Sequence, residues 1–289
     1  MTEPKPSFNP RPSKSKLNLP SGSCDCHFHV FGPNAQFPFA ADAAYIPADA
    51  PKEELFAMHE FLGIDRGVVV QAAAHGFDNS AATDLIADKQ GRYVGVALVP
   101  HTADAAELKR LDEQGFRGVR FNYMRHLGTP PPIDEVIKLG AKLAPLGWHL
   151  QIHMESSLID QMTPPLQRSP VPVVIDHMGR IDASKGLDQA PFKSLLRLLE
   201  DKRFWVKVSG AERASQEGEP YADAVPFGRK LVEQFGDRVL WGTDWPHPNL
   251  KSIPDDGILV DLIAQMASSE AQRQALLVDN PQRLYRFSP

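Results

Sequence analysis

The chain has no uninterrupted apolar run approaching the roughly 18 residues of a membrane-spanning helix, so no helical membrane span is expected. Cysteine is scarce. Cys24 and Cys26 flank Asp25 so closely on one extended segment that a disulfide between them would be badly strained. At most they imply a reducing compartment, and the cytoplasm is the expected address. An apolar signal core is also missing from residues 1–22, which are rich in Pro, Ser and Lys. These residues are expected to form an extended arm ahead of a single domain over 23–289. Positive charge is not in excess: 31 Lys and Arg face 36 Asp and Glu, a net charge of -5. That balance argues against nucleic acid as a partner. No Gly-x-Gly-x-x-Gly turn follows any candidate strand, which disfavours a dinucleotide-binding doubly wound sheet.

What is present is alternation. Short apolar runs over 24–30, 67–72, 93–99, 118–122, 148–154, 171–176, 205–209 and 239–243 read as strands. Helical spacing occupies 52–62, 79–89, 103–113, 133–143, 192–199 and 226–235, and 270–286 reads as a final helix. Eight strands with intervening helices in 289 residues fit one α/β domain, a (β/α)8 TIM barrel. Residues 32–51 read as a long first βα-loop, and there is no internal repeat. In such a barrel the reactive groups sit at the C-terminal ends of the strands, where the loops form an open mouth.

The residues of interest fall at those ends. In Asp25-Cys26-His27-Phe28-His29, residues i and i+2 of a strand share a face, so His27 and His29 point at one spot. Taken alone, the pair is ambiguous between a functional site and two histidines satisfied in the core. Alternation at 148–155 puts Leu150, Ile152 and Met154 on one face, with Gln151 and His153 on the other, facing inward. The strand at 171–176 runs into His177, and the last strand ends in Asp244. Gathered at one mouth, these residues suit a catalytic zinc, which takes three protein ligands plus a water. The fourth strand, Gly118-Val119-Arg120-Phe121-Asn122, offers neither lysine nor acid to bridge two metals, so a mononuclear site is expected.

Arg120 alternates inward on that strand, and a buried arginine needs an anion, from either the protein or a ligand. Arg213, with Lys207 and Ser209, could join it around a substrate bearing carboxylates. Tyr45, His75, Phe77, Tyr123 and Trp245 lie near other strand ends and are expected in the wall. His126 is singled out among the remaining histidines because it follows Arg120 closely.

These residues carry a family resemblance. The motifs are Asp-Cys-His-Phe-His-Val-Phe-Gly-Pro at 25–33, Gln-Phe-Pro-Phe at 36–39, Val-Val-Gln-Ala at 69–72 and His-Gly-Phe-Asp-Asn at 75–79. Arg-Phe-Asn at 120–122, Ile-Asp-His-Met-Gly-Arg at 175–180 and Trp-Gly-Thr-Asp-Trp-Pro-His-Pro-Asn at 241–249 complete the set. Together they resemble the lactonase branch of the amidohydrolase superfamily, and within it the pyrone dicarboxylate lactonases. The resemblance implies a distorted barrel that hydrolyses a small anionic lactone formed in bacterial breakdown of aromatic acids. It places His27, His29, His177 and Asp244 on active-site positions, Arg120 and Arg213 on substrate carboxylates, and Tyr45 and His75 in the pocket.

Two positions depart from those lactonases. Where they carry a tyrosine at the end of strand five, this chain has His153. Where they carry a further substrate arginine after strand four, it has Arg125 followed by His126. The resemblance to the pyrone dicarboxylate lactonases by itself implies a site that works without metal. His153 restores the mononuclear ligand set of the wider superfamily: His27, His29, His153, His177 and Asp244, with zinc as the expected ion. The zinc-dependent sulfomuconolactone hydrolases are the second choice, followed by a metal-dependent decarboxylase of an aromatic or muconate-like acid. A non-catalytic ligand-binding barrel ranks below them, because burying so many titratable groups without a use is costly. The chain carries no partner motif and no signature of an oligomeric state.

Overall fold

Eight strands lie side by side in chain order, and every neighbouring pair is parallel. The computed structural model describes residues 6–288. Its strands are β1 (Cys24–Phe28), β2 (Arg66–Val70), β3 (Tyr93–Ala97), β4 (Phe116–Tyr123), β5 (His149–Met154), β6 (Val173–Ile175), β7 (Phe204–Lys207) and β8 (Val239–Leu240). The segment after β8 returns to β1 through three backbone bonds: Cys26 N to Trp241 O (2.8 Å), Asp244 N to His27 O (2.7 Å) and His29 N to Trp245 O (2.7 Å). These bonds close the ring. The same approach brings Asp244 beside the two histidines of β1.

Helices follow the strands: α1 (Lys52–Leu62), α2 (Ser80–Asp88), α3 (Ala105–Glu113), α4 (Ile133–Leu143), α5 (Ile159–Leu166), α6 (Ala190–Leu199), the short α7 (Ala211–Ala214), α8 (Val225–Phe235) and α9 (Asp256–Met266). A C-terminal helical stretch comprises α10 (Glu270–Gln274), a π turn (Ala275–Asp279) and α11 (Asn280–Tyr285). The strand and helix expectations hold at all eight strands and six barrel helices, with ends shifted by a few residues. Three helices were not expected. In α5, Pro164 and Pro165 interrupt any helical reading. α7 is a single turn. α9 is apolar nearly all round, so it shows little periodic contrast. Its start is fixed by Asp255, whose carboxylate accepts from Gly257 N and Ile258 N.

The apolar core has two layers. Val69, Leu150, Ile152 and Val206 face outward under the helices, in the larger cluster. Cys24, Cys26, Val68, Val70, Val94, Val96 and Val174 fill the inside, and Tyr285 and Phe287 pack onto them from below. Both cysteines are free. The arm, from residue 6 to residue 22, has no regular structure but is held to the barrel. Phe8 packs on Trp245 with ring centroids 4.9 Å apart, Ser13 bonds Asp255, and Ser15 and Lys16 bond Asp261. No helix among the described residues is long and apolar enough to cross a membrane.

Candidate active site

β1 is irregular where it matters. Its register against β2 shifts between Asp25 and Phe28, leaving one extra residue on β1. Cys26 therefore joins the inner apolar layer while His27, next in sequence, reaches polar groups on the barrel axis. Asp25 holds this kink. Its buried carboxylate accepts from His27 N (2.9 Å), Thr243 N (3.1 Å) and Thr243 Oγ1 (2.6 Å). The two segments approach so closely that a Cβ on Gly242 would stand 2.5 Å from His27 N, which requires glycine there.

Asp244 is the hub. Its Oδ1 lies 3.3 Å from His29 Nε2 and 3.6 Å from His27 Nε2, and its Oδ2 lies 3.8 Å from His177 Nε2. The His27 and His177 rings are 4.4 Å apart, and His153 stands 5.5 Å from His177. One donor atom each from His27, His177 and Asp244 falls within 4.8 Å of the others. His29 and His153, also expected as ligands, border this trio without belonging to it. His153 Nδ1 is 3.1 Å from Asn122 Oδ1, and its Nε2 is buried with no partner among the described residues.

The local field keeps His27, His153 and His177 neutral. Burial, reinforced by Lys207, lowers His27 to about 3. Burial also lowers His153 and His177 well below the ordinary value, with Arg120 adding to the effect on His153. Burial alone would raise the Asp244 carboxyl. Arg213, His177 and the hydrogen bond from His29 outweigh it and hold the group well below the usual carboxylate range. The site therefore combines basic lone pairs with a firmly ionised acid.

Above this group opens a cleft with about 440 Å³ of empty space. Arg120, Arg180 and Arg213 line it, as do Tyr45, His126 and Asn249. Arg120 spends Nε on Asp176 Oδ2 at 2.9 Å, so the protein-carboxylate pairing weighed for it from sequence is present, although the side chain still lines the cleft. Arg213 Nε donates to Asp244, and its Nη1 donates to Pro248 O at 3.2 Å. No described residue accepts a hydrogen bond or forms an ion pair with the Arg180 side chain. Burial and repulsion from Arg213 lower Arg180 to about 10. Burial raises the Tyr45 phenol to about 12.

Several expectations find other places. Arg125 is 87% exposed and 3.5 Å from Glu155, so the loop after β4 presents His126 to the cleft instead. His75 does not line the cleft: its ring sits between Gly32 N (3.4 Å) and Pro38 O (3.2 Å), pinning the long loop after β1. Phe77 is exposed, Tyr123 bonds Pro131 O, and Trp245 packs under the arm. Lys207 lies below the histidines with no exposure at all, and Ser209 bonds His177 Nδ1 at 3.0 Å. Arg180 was missed as a cleft residue. Its signal was a cation in the Gly-containing turn directly after His177.

Backbone strain marks the same two loops. Of eight non-glycine residues with positive φ among the described residues, six are His177, Met178, Arg180, Asp244, His247 and Asn249, at 49° to 64°. Such conformations each cost of order 1–3 kcal/mol and persist where surrounding structure enforces them. Residues 24–287 match the family model described as Amidohydrolase. The chain belongs to the amidohydrolase family. It is 46% identical to a 2-pyrone-4,6-dicarboxylate hydrolase of Comamonas testosteroni, over 95% of this chain and 93% of that protein. A 4-sulfomuconolactone hydrolase of Hydrogenophaga intermedia is 38% identical, over 92% and 89%. Among solved structures, a probable 2-pyrone-4,6-dicarboxylic acid hydrolase of Acinetobacter baumannii, with citric acid bound, superposes with a TM-score of 0.82. That match has 29% identity over 92% of this chain and 100% of the other.

Proposed function

We propose that the protein hydrolyses a small anionic lactone of the 2-pyrone-4,6-dicarboxylate type. The observation that carries this reading is the charge of the cleft: three guanidinium groups line it against the single carboxylate of Asp244. Arg180 has no acceptor among the described residues, and a substrate carboxylate would supply one through a forked pair of hydrogen bonds. The names of the 46% and 38% identical relatives point to the same class of substrate.

Ring opening adds water across the ester bond. The water oxygen bonds to the lactone carbonyl carbon as its proton passes to Asp244, and the bond to the ring oxygen breaks as Asp244 returns that proton to the departing oxygen. Asp244 suits the base because it is ionised, with neutral His27 and His177 beside it. Arg120, Arg180 and Arg213 fix the substrate by its carboxylates, and Tyr45 and His126 border it. Holding the reactants in place supplies a large part of such a rate enhancement.

The donor set of His27, His177 and Asp244, with His29 and His153 beside it, also fits a divalent cation such as zinc. Such an ion would lower the pKa of a bound water toward about 7. Ring opening of 2-pyrone-4,6-dicarboxylate and of 4-sulfomuconolactone, followed by loss of absorbance before and after chelation, tests the proposal. Turnover of the dicarboxylate supports it, and turnover of the sulfonate alone moves it to the second substrate. Failure on both lactones, with and without added zinc, overturns it.

A further inference from the structure

Below the histidines lies a buried lysine that the proposed chemistry does not use. Lys207, on β7, donates from Nζ to Cys26 O at 2.8 Å and to Gln151 Oε1 at 2.8 Å. The third neighbour in bonding position is His27 Nδ1, at 3.2 Å. An ammonium group has three protons and no lone pair, so Nδ1 must accept, and an imidazole that accepts at Nδ1 carries its proton on Nε2.

The alternative acceptor for an Nδ1 proton is Asp176. Its Oδ1 lies 3.3 Å from His27 Nδ1, yet that oxygen has no hydrogen-bond partner among the described residues. Lys207 Nζ is 3.7 Å from the same oxygen. His29 Nδ1 stands 2.7 Å from Val70 O, a carbonyl that can only accept, so that nitrogen carries a proton, and its Nε2 lies 3.3 Å from Asp244 Oδ1.

We propose that Lys207 fixes His27 in the Nε2–H tautomer, so that the resting site presents a hydrogen-bond donor at His27 and not a metal ligand. Metal ligation by His27 Nε2 then requires its proton to reappear on Nδ1, facing Asp176 Oδ1, while the Lys207 proton turns away. No net charge moves in that exchange. In the donor state the His27 Nε2–H faces Asp244 Oδ1, 3.6 Å away. The tautomer is a property of the substrate-free protein and can be measured without turnover.

The experiment is a long-range proton–nitrogen spectrum of the histidine rings in uniformly ¹⁵N-labelled, metal-free protein, with His27 assigned by its loss in His27→Asn. The expected result is a protonated Nε2 in the native chain and in Lys207→Arg, which keeps a donor. In Lys207→Met the proton moves to Nδ1. The zinc dissociation constant of Lys207→Met, from competition with a chromophoric chelator, falls roughly tenfold or more, the size of effect seen for groups that orient metal-bound histidines. A protonated Nδ1 in the native protein overturns the proposal, and that spectrum needs no variant to fold. So does Lys207→Met with Nε2–H retained, or with zinc affinity unchanged after the proton has moved.

Discussion

Charge below the two motif histidines is matched by the protein, whereas charge above them is not. Below, Asp176 receives Arg120 and Gln151, and Lys207 spends its donors on Cys26, Gln151 and His27. Above, Arg180 has no protein acceptor among the described residues, and Arg213 shares the one carboxylate that the chemistry needs. Ionising a group away from water is costly unless partners replace the lost hydration. The lower layer meets that requirement when the chain folds. The upper layer leaves it to the ligand. The difference separates groups that build the site from groups that wait for substrate, although both are arginines and carboxylates within one barrel.

The largest break in this arrangement comes from Asp244→Asn. It removes the proposed base and leaves the mouth more positive, so kcat should fall by roughly 10²–10⁴ while a non-hydrolysable dicarboxylate still binds by calorimetry. The depressed Asp244 carboxyl also predicts that the acid limb of the native kcat profile lies below about 3.9, the value of a free aspartate. Retained turnover in the variant would remove Asp244 from the reaction.

Arg120 belongs to both layers, and Arg120→Met should show it. Breaking a buried pair by removing one partner costs on the order of 3–5 kcal/mol, readable as a lower denaturant midpoint, and the substrate requirement should rise as well. Burial alone would raise Asp176, but the adjacent cations Arg120 and Lys207 depress its pKa. A carboxyl depressed on folding contributes stability above its unfolded value of about 3.9, and that contribution is lost as pH falls through the lower folded value. In Arg120→Met the acid loss of stability should therefore begin at higher pH. An unchanged stability-versus-pH curve would place Arg120 wholly in the upper layer.

Arg180→Met isolates the upper layer. No described residue loses a partner, so the denaturant midpoint should barely move. Loss of charge-assisted bonds to a carboxylate, worth about 1.5–3 kcal/mol, should raise KM by roughly 10- to 100-fold at similar kcat. A large drop in stability with unchanged KM would reverse the assignment of this residue.

How legible each layer was in the sequence follows the same division. Strand alternation placed Gln151 and His153 inside and Leu150 and Ile152 outside, because a strand's period survives any tertiary context. Period could not show that β1 carries an extra residue, or that Lys207 turns to Cys26, Gln151 and His27 instead of to the cleft. Those facts depend on register between strands that are distant in sequence. Arg180 lay hidden for a different reason: it follows a turn in left-handed backbone, where no periodicity tells which way a side chain points. The loop after β4 misled in the same way. Adjacent basic residues there looked interchangeable until the helical turn over Arg125–Leu127 sent one outward and its neighbour to the rim.

That last pair gives the smallest and sharpest test. Arg125→Ala removes a full charge within one residue of the cleft. Its guanidinium is nonetheless solvated and held only by an exposed contact with Glu155. An exposed pair of this kind is worth about 0–1 kcal/mol, so KM and kcat should each stay within about twofold of the native values, corresponding to roughly 0.4 kcal/mol. At low ionic strength a modest fall in substrate capture is expected, because a long-range charge has been removed, and it should vanish near 0.15 M salt, where the screening length is about 8 Å. His126→Ala, by contrast, should raise KM at any salt, because His126 lines the cleft. If Arg125→Ala proved as damaging as Arg180→Met, the loop would have to swing inward on binding, and the upper layer would contain a fourth cation that substrate, not folding, brings into place.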